Sequence, residues 1–599
     1  MKSRSCSSVH LRPLTENHAD QPASGLGVPC NSIVWSGHSC PLACITKKLM
    51  RAKVPAPHKP LGWRRDFPCA SGMACARLFG MKVKLRVCFQ GRATDTRSLV
   101  TPFLAVWVLA LVGCSGSSPA ALKQQPPPEN PIGPNLTQIS SDPYTVAPGQ
   151  HATEVEPHLL ANGNTLVAAF QTGRIHDGGA TDIGWATSTD GGTTWTHGFL
   201  PGLTTGEGTG PYVAASDPAV GYDAKHGVWM IASLPISAGI AQVPAVVMNR
   251  SADGLTWQNS VPVTAPVASS DKNWIVCDSG ATSPHFGNCY VEWDDPSNGD
   301  LIFMSTSSDG GLTWSAPSTT ADSASGIGGQ PLVQPNGNVV VPIQSTGMEA
   351  FTSTDGGVSW SALLGISNIQ AHIDLPGFRS GPLPSATVDG AGNIWVVWED
   401  CRFRASCSTN DLVYSTSPDG VTWSAVTRIP IDDVSSTVDH FIPGIGIDPA
   451  TSGAGAHIAI HYYYFSQSNC TVATCQLIVG FISSANGGSS WNAPVTIAGP
   501  MQLSSLPGSQ NGLMVADYIA TAFTSGIPHG VFAVAAAPSG SVFDEAIYTG
   551  QGLTVKAAGR QLSSAADRPL HRMSDQIERE HPEKGVIPPL RRRARKSAR

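Results

Sequence analysis

The chain has 599 residues, of which 13% are charged, with 62 glycines and 47 prolines. That length can hold several domains, and the glycine and proline load fits many short strands joined by tight turns. Twenty-eight of the 37 Lys+Arg but only 9 of the 43 Asp+Glu lie before Ser115 or after Val555, so the middle is acidic and lacks the basic footprint that nucleic-acid binding needs.

Residues 1–80 show weak apolar periodicity and no definable element, which is read here as a poorly structured, mis-called extension ahead of a true start near Met81. Lys82, Lys84, Arg86, Arg92 and Arg97 form a basic segment before the apolar run Leu99 to Gly113. The run is short for a membrane span and suits the core of a signal peptide, so 81–114 is assigned that role. It ends Leu111-Val112-Gly113-Cys114, which resembles a bacterial lipobox. The resemblance implies cleavage before Cys114, lipidation of its thiol and attachment to the membrane of a bacterial cell envelope by that anchor alone. Residues 115–134 are rich in Ser, Pro and Gln and are expected to be a flexible tether. At the other end, 556–599 turns basic and closes on Arg591-Arg592-Arg593-Ala594-Arg595-Lys596. A disordered tail fits an exported protein better than a nucleic-acid arm.

From residue 135 the pattern is strand, turn, strand. Thr165 to Phe170 follows Ala161-Asn162-Gly163-Asn164, and Ile183 to Thr187 comes next. Gly227 to Ala232, Leu301 to Ser305, Val339 to Ile343, Ile394 to Trp398 and His457 to Tyr464 repeat the layout, each behind its own turn. A last unit after Gly499 carries the runs Leu513 to Phe523, Val531 to Ala537 and Glu545 to Tyr548.

One octapeptide recurs through these units. Ser188-Thr189-Asp190-Gly191-Gly192-Thr193-Thr194-Trp195 returns from Ser307 to Trp314 and from Ser353 to Trp360, and with Asn for Asp from Ser484 to Trp491. Ser251 to Trp257 and Ser417 to Trp423 are one residue shorter. An aspartate that accepts backbone N–H groups, glycines free to take positive φ and an anchoring tryptophan make this a hairpin turn. Its aspartates are too dispersed to form one site.

These boxes are similar to the Asp boxes, or BNR repeats, of sialidases and related β-propellers, in which the box joins the third and fourth strands of a blade. The resemblance covers about residues 135–555 and implies an all-β fold, a β-propeller of four-stranded blades. Six boxed units plus the last give seven blades; six is the alternative, because sialidases proper have six. A strand near Leu136 to Ser140 is expected to close the last blade and remove its exposed edge.

Six cysteines lie in the middle as near pairs, Cys277/Cys289, Cys401/Cys407 and Cys470/Cys475. Disulfides of an oxidising compartment explain them better than zinc, for which there is no CxxC and no histidine cluster. Asp294-Asp295-Pro296-Ser297-Asn298-Gly299-Asp300 has oxygen ligands for Ca²⁺ but reads as a hairpin turn. No metal or cofactor is expected.

The sialidase resemblance also implies a site on the central funnel, with arginines clamping a carboxylate, a tyrosine backed by a glutamate as nucleophile and an aspartate as acid/base. Val155-Glu156-Pro157-His158-Leu159, followed by a strand and Gly173-Arg174, resembles the family's opening motif, with Val155 standing where its first arginine belongs. Arg174 takes the second arginine's place, and Asp177 or Asp182 that of the acid/base. Arg379 and Arg402 occupy blade positions that would complete the clamp; Arg428-Ile429-Pro430 follows a box and is set aside. Tyr518 is the candidate nucleophile, with Glu399 or Glu292 behind it. Asp271-Lys272-Asn273-Trp274 precedes a strand and would aim a lysine and an indole at the funnel. The functional expectation is a monomer that acts on or binds glycans, either an exo-α-sialidase-type glycosidase or a degenerate relative. The rival is a non-catalytic scaffold for protein or polysaccharide at the envelope.

Overall fold

The computed structural model describes residues 131–555 apart from 238–242, 268 and 468, together with a pairing of Arg77–Leu78 with Met81–Lys82 in a separate unit, Cys40–Pro127. The extension, signal peptide, lipidation site, most of the tether and the basic tail otherwise lie outside the described residues.

Residues 131–555 are all-β; the helical elements described there are 3-10 turns of three residues. The strands run as antiparallel meanders taken in chain order. The first comprises Gly149–Asn162, Thr165–Ile175, Ala180–Ser188 and Thr196–Phe199. The second comprises Ala214–Asp223, Val228–Ile236, Val247–Ser251 and Val261–Pro262. The third has Asp271–Cys277, Cys289–Asp295 and Leu301–Ser307, with a bridge from Met304 to Ser318 at its outer edge. Four-stranded meanders then begin at Leu332–Val333, Ser385–Val388 and His440–Ile447. The last unit pairs Ala520–Thr524, Ile527–Ala535 and Glu545–Gly550, and Leu136–Gln138 adds to Glu545–Gly550 as its fourth strand.

The expected strands are found, most with longer ends, although Val531 to Ala537 stops at Ala535 and Leu136 to Ser140 at Gln138; the exception is the run Leu513 to Phe523. Gly512–Leu513 belongs to a small hairpin with Gly508–Ser509, and the ladder starts only at Ala520. Between them Asp517 is drawn into ion pairs, so this stretch follows side-chain chemistry rather than a sheet register.

Strands such as Ile394–Asp400 are buried along their whole length. Both faces are covered because each meander packs on the next, which favours continuous apolar runs over alternation. Trp185, Val220, Trp229 and Trp257 join the first two meanders, and Trp395, Tyr414, Ile458 and Trp491 join the fifth and sixth. Leu166, Phe170, Tyr463 and Phe532 knit the sixth, seventh and first into one cluster. The first strand of every meander lies beside the first strand of the next, and that of the last beside Gly149–Asn162.

Each box follows the third strand of its meander and makes one hydrogen-bond pattern. Ser353 Oγ donates to Asp355 Oδ1 at 2.8 Å and accepts from Gly357 N at 2.9 Å. Asp355 Oδ1 also accepts from Val358 N and Ser359 N at 3.1 and 3.0 Å. Asp190, Asp253, Asp309 and Asp419 repeat it, and Asn486 keeps it with Ser490. Backbone N–H groups of Thr194 and Thr256 hold Asp190 and Asp253 down at about 2. Gly357 and its counterparts sit at positive φ, +84° in this case, which the turn requires. The box tryptophans are less uniform than expected: Trp257, Trp360 and Trp491 are buried, whereas Trp195, Trp314 and Trp423 are half-buried. The disulfides Cys277–Cys289, Cys401–Cys407 and Cys470–Cys475 are formed as expected.

Because Asn486 preserves the pattern, Asp355→Asn should leave the denaturation midpoint nearly unchanged. Asp355→Ala removes the acceptor for two N–H groups and should cost about 1 kcal/mol in chemical denaturation. A second prediction concerns Glu292, fully buried with neither oxygen hydrogen-bonded, whose carboxyl burial pushes well above the ordinary range. A raised folded-state value favours the protonated form, so its stabilising effect is complete below the unfolded value and is lost as pH rises. The melting temperature should therefore fall as pH rises above the ordinary carboxylate range, and less steeply in Glu292→Gln.

Candidate functional site at the inner ends of the first strands

The candidate site begins with a repeated irregularity. In the first strands of the first, second, third and sixth meanders the register slips, between Val155 and His158, Ser216 and Ala219, Asp271 and Trp274, and Phe441 and Gly444. Within each slip one residue has left-handed φ: Glu156 +53°, Asp217 +49°, Lys272 +49° and Ile442 +49°. Such a bulge re-aims a side chain out of the ladder, and a non-glycine residue there costs on the order of 1–3 kcal/mol.

Three of those side chains converge. Lys272 Nζ lies 3.3 Å from Asp217 Oδ2 and 3.8 Å from Glu156 Oε1, and it pairs directly with Asp517. Arg379 grips the same carboxylate from the other side, donating from Nε to Asp517 Oδ1 at 2.6 Å and from Nη2 to Oδ2, and it passes 3.9 Å from Glu156. Gln171 donates to Glu156, and Ser216 Oγ lies 3.3 Å from the Gln171 amide and donates to Asp217 Oδ1 at 2.5 Å. Arg174, 3% exposed, donates from Nη1 to the Ile175 carbonyl at 2.9 Å and to that of Gly179, with Nε 3.2 Å from Met514 Sδ.

Burial sets the protonation pattern. It pushes Glu156 up to about 8, with Lys272 opposing, and Asp271 up to about 6. Asp517 is also buried, but Arg379 and Lys272 hold it far below the ordinary carboxylate range. For Lys272 burial favours the neutral amine, yet Asp217, Asp517 and Glu156 outweigh it and keep the ammonium.

Beneath these charges lies an aromatic layer. His158 packs on Trp274 at 4.4 Å, Tyr518 meets that indole edge-on at 5.1 Å, and the Tyr518 hydroxyl donates to the Pro218 carbonyl at 3.2 Å. Above them a small pocket, open to solvent and with a cavity volume of about 30 Å³, is lined by Glu156, Arg174, Asp177, Asp217, Asp271 and Arg379. The hairpin Gly508–Leu513 overhangs it: Gln510 donates to the carbonyls of Asp177 at 2.6 Å and His176 at 3.1 Å. On the other side of the aromatic layer a cavity of about 510 Å³ is lined by residues of the first strands of all seven meanders.

Of the residues singled out from sequence, Arg174, Arg379, Tyr518 and Lys272 come together here, and Asp177 reaches the rim. Its carboxylate is 84% exposed and lies 2.8 Å from His176 Nδ1. Asp182 faces elsewhere, accepting from the Tyr144 hydroxyl at 2.8 Å. Arg402 does not join the clamp: it chelates Asp400 at 2.8 and 2.7 Å and donates to Ser367 Oγ at 2.9 Å. Neither proposed partner of Tyr518 is the carboxyl near it. Glu399 and Glu292 stand on second strands, Ile394–Asp400 and Cys289–Asp295, one position out from the centre. Glu399 lies with Asp374 and Asp439, and Glu292 against Gly329. The carboxyls acting on Tyr518 are Glu156, Asp217 and Asp517. Asp294 to Asp300 is the hairpin turn expected, with Asp295 capping Ser297 N at 3.0 Å.

Glu156, Asp217 and Asp517 were not found from sequence, although a signal existed for the first two. Glu156-Pro157, Asp217-Pro218 and Ile442-Pro443 lie within first strands, and Gln330-Pro331 and Leu383-Pro384 just before them. In the first, second and sixth meanders the residue before that proline is the one at left-handed φ within the slip. Among the described residues Asp411, Asp432 and His440 also bring potential metal ligands within 4.8 Å of one another. Arg404 and Arg428 already occupy those carboxylates, at 2.5 Å from Arg404 to Asp411 and 2.7 Å from Arg428 to Asp432, so the group is an ion-pair network.

Residues 286–444 match the family model of the BNR repeat-like domain. No curated protein sequence matches the chain. Among solved structures it is similar to a protein of unknown function from Dyadobacter fermentans at 15% identity, over 59% of this chain and 100% of that one, with a TM-score of 0.38. The NanB sialidase from Streptococcus pneumoniae is similar at 14% identity, over 69% and 71%, with a TM-score of 0.35. A polysaccharide lyase, an ulvan lyase, is similar at 11% identity, over 72% and 98%, with a TM-score of 0.39. At those scores the function has to be argued from this chain's own residues. Six turns of one sequence and one hydrogen-bond pattern, set after the third strands of successive meanders, run through and beyond the segment 286–444 that matches the family model, so this chain contains a BNR repeat-like domain.

Proposed function

We propose that this protein is an exported, lipid-anchored monomer whose seven meanders close as the blades of a β-propeller, and that it binds glycan in the pocket beside Arg174. The cyclic neighbourhood of the first strands and the single cavity they line support closure with seven blades rather than six. Leu136–Gln138, completing the last meander, supplies the closing strand.

One observation carries the glycan reading: a solvent-open pocket collects two guanidiniums and several buried carboxyls. Carboxylates and guanidiniums match sugar hydroxyls in pairs, and the polar groups are fixed by ion pairs before any ligand arrives. A second reading, glycoside hydrolysis, rests on Glu156. A carboxyl that keeps its proton to about pH 8 beside other carboxylates can serve as a general acid. Tyrosine-nucleophile chemistry is disfavoured, because Tyr518 is 7% exposed and its hydroxyl is committed to a carbonyl.

A glycan panel measured with purified protein tests the binding reading, which predicts that Arg174→Ala weakens the bound glycan at least about tenfold, the loss of one charge-assisted contact. Retention of full affinity would remove the pocket from consideration. If hydrolysis is detected, Glu156→Gln should abolish it while Tyr518→Phe changes it little. For the anchor, metabolic labelling with an alkynyl fatty acid should mark the wild type, and Cys114→Ser should lose the label and move to the soluble fraction.

A further inference from the structure

We propose that the pocket is built to take an uncharged sugar, because Asp517 already occupies the place in which a ligand carboxylate would sit. This rests on the glycan reading above. A carboxylate ligand needs a guanidinium with a free pair of N–H groups, or a free ammonium. Arg379 spends Nε and Nη2 on the two oxygens of Asp517. Lys272 spends its ammonium on Asp517 and Asp217. Arg174 turns Nη1 to two backbone carbonyls and Nε to a thioether. Arg402, which could have supplied another fork, is held by Asp400.

The charge balance points the same way. Leaving out the protonated Glu156, the carboxylates of Asp177, Asp217 and Asp271 line the pocket with Asp517 behind Arg379, four against the three cations Arg174, Arg379 and Lys272. An incoming anion would meet surplus carboxyls and would have to break a nearly buried bidentate pair, leaving the Asp517 carboxylate, 9% exposed, unpartnered. A neutral sugar meets no such opposition: its hydroxyls can donate to carboxylates and accept from the remaining N–H groups of Arg174. Asp517 is in effect an internal anion, delivered from the loop before the last meander to cations on the third and before the fifth.

The test compares wild type and Asp517→Asn on a panel of neutral oligosaccharides and their sialylated and uronate-bearing counterparts, with folding checked by circular dichroism. Wild type is expected to bind a neutral glycan at least tenfold more tightly than its acidic counterpart. Asp517→Asn, which frees Arg379 and Lys272, is expected to raise affinity for the acidic counterpart at least tenfold. If Asp517→Asn does not fold, the wild-type ratio alone decides. Equal or tighter wild-type binding of the acidic glycans overturns the inference and leaves glycan binding standing. Binding of no glycan by wild type overturns both.

Discussion

The carboxylate of Asp517, clasped between Arg379 and Lys272, is the contact on which the centre of this molecule depends. It joins the stretch before the last meander to the third meander and to the loop before the fifth, and through Lys272 it draws in Glu156 and Asp217 from the first and second. All these groups are nearly inaccessible to water, so each is costly unless the others are present. Removing one partner of such a buried set typically costs about 3–5 kcal/mol, because a charge is left without compensation. The pair is therefore better understood as fixing which strand ends meet than as adding net stability.

The left-handed residues at Glu156, Asp217 and Lys272 make that meeting possible. A regular strand would send these side chains up or down within the sheet, onto the packing surface between meanders. The slip in register turns them toward the centre while the residues after them, among them His158, Val220 and Trp274, return to the ladder. Strain in the backbone is thus tied to ion pairing in the side chains. The same device at Ile442 delivers an apolar group, so the charge lies on one side of the centre, where the pocket opens.

The opposite ends of the sheets obey simpler chemistry. There each box aspartate consumes the N–H groups of its own loop, and distant parts of the chain reach a box through side-chain donors to its carbonyls, as from Arg250 to Gly310 and from Asn288 to Gly356. Function and scaffold are separated by this difference. Turns whose aspartates need only local partners can be repeated with little variation, whereas a site that needs partners from five parts of the sequence has different residues in each repeat.

That separation explains what could be read in advance. The boxes, the turns and the apolar runs set the all-β meanders, their order and the three near-neighbour disulfides, because each is decided within about ten residues by hydrogen-bond geometry and glycine's freedom at positive φ. Arg174, Arg379 and Lys272 were legible as candidates from their places in the repeat. Glu399, Glu292 and Arg402 were misplaced because the repeat gives a residue's strand but not its distance from the centre. That Asp517 answers Arg379 across 138 residues, and that Glu156 and Asp217 point inward, was decided only by the tertiary structure. Such groups find one another because an unpaired charge cannot stay buried, a demand that no local stretch of sequence records.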